Sequence, residues 1–475
     1  EIAKEAWNET LLDNILEIPK KIVPGNTPTM RCCVYKERAI LEERVKVAMG
    51  GDKSNPNVIQ VLPIACDECP VGGFEVTNAC RGCLAHRCED VCKMGAISFD
   101  RDHVAHIDKS KCVECGACAK VCPYTAIVSH KRPCQNACKV KAISMDENKA
   151  AKIDNNKCIA CGACVYQCPF GAIADKGQIY QLIQGFNRGD RIYALVAPAF
   201  INQFPSLAST GKLKSALKAI GFCDVVEVAI GADLCTVDEA HDFLEEVPEK
   251  LDFMATSCCP AWSMMAKTAF PGLAKNISMT MTPMVFTARM MKQADPEARM
   301  CFIGPCAAKK LEASRRTVRS DVDFVLTFEE LRGMMEAKDI DFTQIPDVPA
   351  NYEASAPGVG FAASGGVAKA VEDVIHRLEP DREVKTVYAE GLRECRKMLR
   401  IARTGKYDGY LLEGMACPGG CIAGAGTIQP PEKSRRVLEQ YKASAPKGNP
   451  LDSDYKEDLY LLHGGEDDWS FVGRH

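Results

Sequence analysis

The sequence has no excess of positive charge: 59 Lys and Arg stand against 63 Asp and Glu, for a formal net charge of −4. No basic field is present to bind nucleic acid. No uninterrupted apolar run reaches membrane-spanning length. The stretch from Glu1 to Leu12 is polar and acidic, unlike a secretory leader, so the expected location is the cytoplasm. Wholesale disorder is excluded as well. With 47% apolar and 26% charged residues over 475 positions, the composition is globular, with room for about three domains. Histidine is scarce, at 8 residues, whereas cysteine reaches 27. Disulfide-dense domains are small, secreted and short of core. A chain of this length can bury a full core, and sixteen of its cysteines crowd between Cys66 and Cys168. The cysteines therefore read as metal ligands.

Two stretches follow the pattern C-x2-C-x2-C-x3-C-P. One is Cys112, Cys115, Cys118, Cys122 and Pro123; the other is Cys158, Cys161, Cys164, Cys168 and Pro169. This is the ligand run of bacterial 4Fe–4S ferredoxins, whose fourth cysteine serves the other cluster of a pair. Thiolates are soft, charged donors that suit iron, whereas zinc sites usually pair two C-x2-C hooks. Upstream lie Cys80, Cys83, Cys88 and Cys92, followed by Gly95-Ala96-Ile97. The segment repeats: Cys88 to Cys134, Cys92 to Cys138 and Cys112 to Cys158 are each 46 residues apart, and Lys141-Ala142-Ile143 echoes Gly95-Ala96-Ile97. The second copy lacks a C-x2-C hook before Cys134, but Cys66 and Cys69 form a spare one upstream. We read this as one module interrupted between Cys69 and Cys134 by a complete second module, an insertion that a surface loop tolerates. The ligand sets are then Cys80, Cys83, Cys88 with Cys122; Cys112, Cys115, Cys118 with Cys92; Cys158, Cys161, Cys164 with Cys138; and Cys66, Cys69, Cys134 with Cys168. The alternative is three clusters, with Cys66 and Cys69 elsewhere. Cys32-Cys33 has no partner spacing and reads as buried or half-buried thiols of a helical segment.

From about Arg191 the pattern changes. Strands are expected at 192–196, 225–230, 251–256, 300–304, 322–327, 384–389 and 407–413. Helices are expected at 212–220, 237–247, 284–292, 328–336, 366–378 and 392–402. This order gives an α/β domain with a largely parallel sheet. The fold class is thus multidomain α+β and α/β: an N-terminal helical segment (1–60), two nested ferredoxin-like modules (61–185), a catalytic α/β domain (186–430) and a C-terminal extension of little periodicity (431–475). Three loops at strand ends carry cysteine: Thr256-Ser257-Cys258-Cys259-Pro260, Gly304-Pro305-Cys306-Ala307-Ala308-Lys309 and Gly414-Met415-Ala416-Cys417-Pro418-Gly419-Gly420-Cys421. Ligands gather beyond the carboxyl ends of strands in open α/β sheets.

These three loops, in this order, resemble the signature motifs of the FeFe (iron-only) hydrogenases over about 192–427, and the ferredoxin-like region fits the same family. The resemblance implies an H-cluster: a 4Fe–4S cubane joined through one cysteine sulfur to a two-iron centre with CO, cyanide and azadithiolate. It implies that Cys259, Cys306, Cys417 and Cys421 hold the cubane, with Cys421 as the bridge. It implies that Cys258 passes protons, through Glu239, Ser278 and Asp242, and that Lys309 donates to a cyanide ligand. Glu246 follows on the same helix face, where related enzymes carry a basic residue. Phe361 and Met415 are expected to line the two-iron pocket with Pro198, and Gly419, Gly420, Gly424 and Gly426 to admit close backbone approach. Gly304 replaces a usual Met, Met284 and Ala199 stand where polar residues often sit, and Pro418 varies the last loop, as in a divergent subgroup. The Met-rich stretch from Met254 to Met291 reads as core filler, and Cys223, Cys235, Cys301 and Cys395 as structural thiols, with Cys235 and Cys301 near the site segments. The implied activity is interconversion of dihydrogen with protons and electrons, the partners being ferredoxin or another redox carrier and the H-cluster maturation proteins. The competing classes are a non-catalytic relative (an assembly factor or a hydrogen sensor) and a simple polyferredoxin.

Overall fold

The computed structural model describes the chain except residues 70–71, 205–208, 316–317, 319, 350–353 and 463–475. The last of these belong to the expected C-terminal extension and lie outside the described residues. Nesting is visible in the strand pairing of the cysteine-rich region. Ile59–Val61 pairs antiparallel with Ile173–Asp175, and between them Gly73–Val76 pairs with Ile127–His130. Each module adds one hairpin, Ile97–Phe99 with Ala105–Ile107 and Ile143–Met145 with Ala151–Ile153. The hairpin turns repeat in chemical detail. Asp100 accepts from the Val104 N–H at 2.8 Å and Asp146 from the Ala150 N–H at 2.8 Å. His103 and Lys149 both adopt positive φ, at 57° and 62°. A carboxylate that satisfies the backbone of its own turn is a local device, so it recurs wherever the sequence recurs.

The half of the chain from Arg191 on contains two parallel sheets rather than one. Asp224–Glu227, Ile192–Val196, Arg299–Ile303 and Phe324–Leu326 form the first, in that order. Met254–Ala255, Tyr410–Met415 and Lys385–Glu390 form the second. The expected strand 225–230 ends at Glu227, and the expected helix 237–247 begins earlier, as Ala229–Glu246. An unbroken apolar run hides that junction, because Val228 to Ile230 suits either element. Gly366–Leu378 and Leu392–Ala402 occur as expected.

Ala3, Ala6 and Leu11 of the N-terminal segment share one hydrophobic core with Ala194, Leu217 and Phe286 of the catalytic half. Cys32 is exposed rather than buried, since it precedes the helix Val34–Ala48, and Cys33, which caps that helix, is half-buried. After Pro430 the chain forms a regular helix, Pro431–Ala443, instead of an aperiodic tail. Its few apolar residues are used fully: Leu438 is buried, and the Tyr441 hydroxyl donates to buried Glu227 at 2.8 Å. Among the described residues no helix is long and apolar enough to cross a membrane.

Candidate active site and electron-transfer centres

All three cysteine loops leave the carboxyl ends of parallel strands. Met254–Ala255 leads to Cys258 and Cys259, Arg299–Ile303 to Cys306, and Tyr410–Met415 to Cys417 and Cys421. Cys259 and Cys306 stand immediately before the helices Pro260–Ala269 and Ala307–Ser314. The loops converge on one cavity with an empty volume of about 860 Å³, lined by Cys258, Cys259, Cys306, Cys417, Cys421 and Lys309. Pro198, Ala199, Met284, Phe361 and Met415 complete its apolar wall, so every residue expected at the two-iron pocket faces this space. Gly420 also lines it, at φ 89°, and a Cβ there would come within 2.6 Å of the Ser364 backbone nitrogen. Burial, and then the neighbouring thiols, push Cys306 and Cys421 up to about 12. Four clustered thiols that burial holds in the neutral form become thiolates only where a cation takes the place of their protons. The donor set therefore fits a cubane. Among the described residues no three His, Cys, Asp or Glu side chains converge on a single ion position; a cubane assigns each thiolate its own iron.

A polar path lies behind Cys258, whose thiol has the Glu239 carboxyl as an electrostatic neighbour. The Ser257 N–H donates to Glu239 Oε1 at 3.2 Å, and the Ser278 hydroxyl also bonds this carboxyl. The Thr280 N–H donates to Ser278 Oγ at 3.1 Å, and the Thr280 hydroxyl donates to Asp242 Oδ2 at 3.1 Å. Burial outweighs the hydrogen bonds and pushes Glu239 up to about 8. Burial, and then the Asp238 charge, push Asp242 up to about 6. Glu239 is wholly buried, whereas Asp242 and Glu246 are half-buried, so the path grades toward solvent along one helix. A second cavity, lined by Ser257, Ser278, Thr280, Thr282 and Glu312, lies along this side. Lys309 faces the first cavity but is held by Glu312 Oε2 at 2.6 Å and by Thr282 Oγ1 at 3.0 Å.

In the cysteine-rich region one thiol of each expected set has other members of that set as electrostatic neighbours. Cys134 has Cys66, Cys168 and Cys69; Cys164 has Cys161, Cys158 and Cys138; Cys88 has Cys83 and Cys122; Cys118 has Cys112 and Cys115. The four cysteines that end a C-x3-C step each accept a backbone N–H from the alanine four residues on. Ala96 donates to Cys92 at 3.3 Å, Ala126 to Cys122 at 3.4 Å, Ala142 to Cys138 at 3.1 Å and Ala172 to Cys168 at 3.3 Å. The residue before each alanine, Gly95, Thr125, Lys141 or Gly171, has positive φ, which turns that N–H toward the sulfur. Such bonds stabilise thiolate charge and tune cluster potentials.

Residues 190–425 match the family described as iron only hydrogenase large subunit, C-terminal domain. Through this region the chain belongs to the iron-only hydrogenase family. Residues 79–126 match a 4Fe-4S dicluster domain and 151–174 a 4Fe-4S binding domain. The chain is 28% identical to the periplasmic [Fe] hydrogenase large subunit of Nitratidesulfovibrio vulgaris, over 46% of this chain and 62% of that protein. It is 28% identical to iron hydrogenase 1 of Clostridium pasteurianum, over 50% and 49% respectively. It is also 28% identical to a probable cytosolic Fe-S cluster assembly factor of Drosophila virilis, over 54% and 65%. The chain thus spans less than two thirds of each of these relatives. In fold it resembles the apo FeFe-hydrogenase of Chlamydomonas reinhardtii (a variant form), with TM-score 0.50 at 20% identity over 60% of this chain and 92% of that one. The chain is an FeFe-hydrogenase-like protein with ferredoxin-type 4Fe–4S domains.

The hydrogenase-like domain accommodates its departures physically. A Cβ at Gly304 would meet the Phe302 ring at 2.6 Å, so Phe302, which lines the cavity, supplies the bulk a Met would bring. Cys235 lies close enough to Glu239 and Cys258 for their charges to raise it, on top of its burial; Cys301 has Glu330 and Asp323 as neighbours instead. Sequence reasoning missed the roles of four residues. Thr280 bridges Ser278 to Asp242, Thr282 and Glu312 anchor Lys309, and Cys161 of the interrupted ferredoxin module, which lies innermost toward the site, lines the first cavity itself. Only the alanines four residues after cysteine left a signal, in the repeated Ala-Ile pair.

Proposed function

We propose that the chain is an FeFe-hydrogenase, interconverting dihydrogen with two protons and two electrons. The carrying observation is the convergence of Cys259, Cys306, Cys417 and Cys421 on a cavity that also exposes Cys258, behind which Glu239, Ser278, Thr280 and Asp242 form a graded polar path. The four cysteines would hold the H-cluster, which supplies the redox chemistry of dihydrogen when bound. The Cys258 thiol presents a transferable proton to the cavity. Glu239, with its carboxyl raised to about 8, stays protonated at neutral pH and can exchange that proton inward. Asp242, at about 6, sits nearer the ionised form and exchanges with solvent. Lys309 sets a fixed positive charge against the cavity wall, its orientation held by Glu312 and Thr282. The sixteen upstream cysteines would hold four 4Fe–4S clusters that connect the cavity to a soluble carrier such as ferredoxin. Maturation proteins would supply the two-iron centre, in the cytoplasm.

The second reading, a non-catalytic assembly factor, is favoured by the similarity to the Drosophila virilis protein. A cubane scaffold alone needs neither Cys258 nor its carboxylate path. The test is anaerobic infrared spectroscopy after maturation, with a hydrogen assay. CO and cyanide bands with turnover support the hydrogenase; their absence after in vitro maturation overturns it. Iron analysis should give about 22 atoms for four accessory clusters and about 18 for three. Cys258→Ala should keep the bands and lose turnover by about 100-fold or more; unchanged turnover refutes its role.

A further inference from the structure

The 46-residue repeat supplies an internal comparison. Val113, Met94, Cys115 and Lys93 of the inserted module, the outer one with respect to the cavity, correspond to Ile159, Val140, Cys161 and Lys139 of the interrupted module, the inner one. In the inner module this face is an interface. Ile159 is 4% exposed and packs in one core with Phe253 and Trp262 of the catalytic half, with Val140 against it. Cys161 lines the active cavity beside Cys259 and Cys417. A Cβ on Gly162 would fall 2.5 Å from Ala425 Cβ, so the Gly162 backbone packs directly against the Ala425 methyl. Lys139 shares a cleft with Glu390 and Glu394 of the catalytic half.

In the outer module the same face is bare. Val113 is 61% exposed, Met94 is 51% exposed and Cys115 is exposed. They surround the pocket of Cys92, Cys112, Cys115 and Cys118, which the expected cluster would fill, and Lys93 is the single charged residue of that lining among the described residues. Large apolar side chains exposed side by side at the rim of a cluster site mark a contact surface.

We propose that this face, built from Met94, Val113, Cys115 and Lys93, is the docking port for a one-electron iron–sulfur carrier whose own apolar face is rimmed by carboxylates. The inference rests on the hydrogenase reading and adds the place and chemistry of the carrier's contact. The inner module shows what such a partner looks like: an apolar surface carrying cluster cysteines, with Glu390 and Glu394 opposite the lysine. The transfer balances as one electron per encounter: the reduced carrier is oxidised as the cluster bound by Cys92, Cys112, Cys115 and Cys118 is reduced, with no bond made or broken. The apolar centre gives close approach, and the lysine gives orientation and on-rate.

The test uses the matured protein with a reduced two-cluster ferredoxin and, separately, reduced methyl viologen, a small dye that needs no shaped port. Met94→Glu with Val113→Glu should raise the ferredoxin KM by about tenfold or more and slow ferredoxin-driven bleaching of the accessory clusters in stopped flow, with both dye rates unchanged. Lys93→Glu should raise KM less and flatten its salt dependence. Val113→Ile, which copies Ile159, should leave KM unchanged. An unchanged KM and bleaching rate in the double variant, an equal loss with dye and ferredoxin, or a change of oligomeric state without a change in KM would each overturn the port. Bleaching is read without hydrogen production. A wild type that bleaches with ferredoxin but evolves no hydrogen would therefore sink the hydrogenase reading and leave the port standing.

Discussion

On the hydrogenase reading, the electron side and the proton side of the cavity are built on opposite plans. On the electron side, thiols sit on short loops whose own backbone supplies the stabilising N–H groups, as from Ala142 to Cys138 and from Ala172 to Cys168. On the proton side, the groups come from one long helix, Ala229–Glu246, and from a segment some forty residues further on. Ser278 and Thr280 reach Glu239 and Asp242 only through tertiary packing. Electron transfer tolerates gaps between centres, so each site can be self-contained. Proton transfer requires hydrogen-bond reach at every step, so its groups must be brought together by the whole fold.

Isotope exchange between dihydrogen and deuterated water needs the proton side and no external electrons, so it separates the two plans. The largest expected effect is from Glu239→Gln, which should cut both exchange and dye-linked turnover by roughly 100- to 10,000-fold with infrared bands intact. Retained exchange would show that protons travel by another route. Cys161→Ser should come next. It should remove about four irons and most dye-linked turnover while exchange persists, and loss of exchange as well would break the separation. The smallest effect concerns the scaffold common to both sides. Burial pushes Glu227 from an ordinary 4.5 up to about 7. Its folded pKa is raised, so the stability it contributes is full below pH 4.5 and lost as pH rises to 7. Glu227→Gln should flatten the fall of the unfolding midpoint over that window by about 2–4 °C; an unaltered slope would show that Glu227 does not set it.

The same contrast governs what the sequence discloses. The spacing of Cys112 to Cys122 and of Cys158 to Cys168 is local, so the modules and their nesting are legible from it. The helices Gly366–Leu378 and Leu392–Ala402 are legible because their apolar spacing is clean and a glycine opens the approach to each. The path through Thr280 is not, since threonine has no distinctive spacing and its partner Asp242 lies 38 residues away. Lys309 is readable from its loop, but the Thr282 contact that fixes it spans 27 residues. The helix Pro431–Ala443 escapes notice because its burial rests on a few residues, Leu438 and Ser434 foremost, set among many charges.

The nested strand pairs also impose an order of assembly on a growing chain. The sheet of Gly73–Val76 with Ile127–His130 is complete as soon as residue 130 has left the ribosome, whereas Ile59–Val61 must wait for Ile173–Asp175. The outer module can therefore fold and receive its iron while the inner one is still two unjoined halves. Assembly thus runs from the exposed module toward the cavity, and the sheets of the hydrogenase-like domain, emerging last, close on a module that has just been completed.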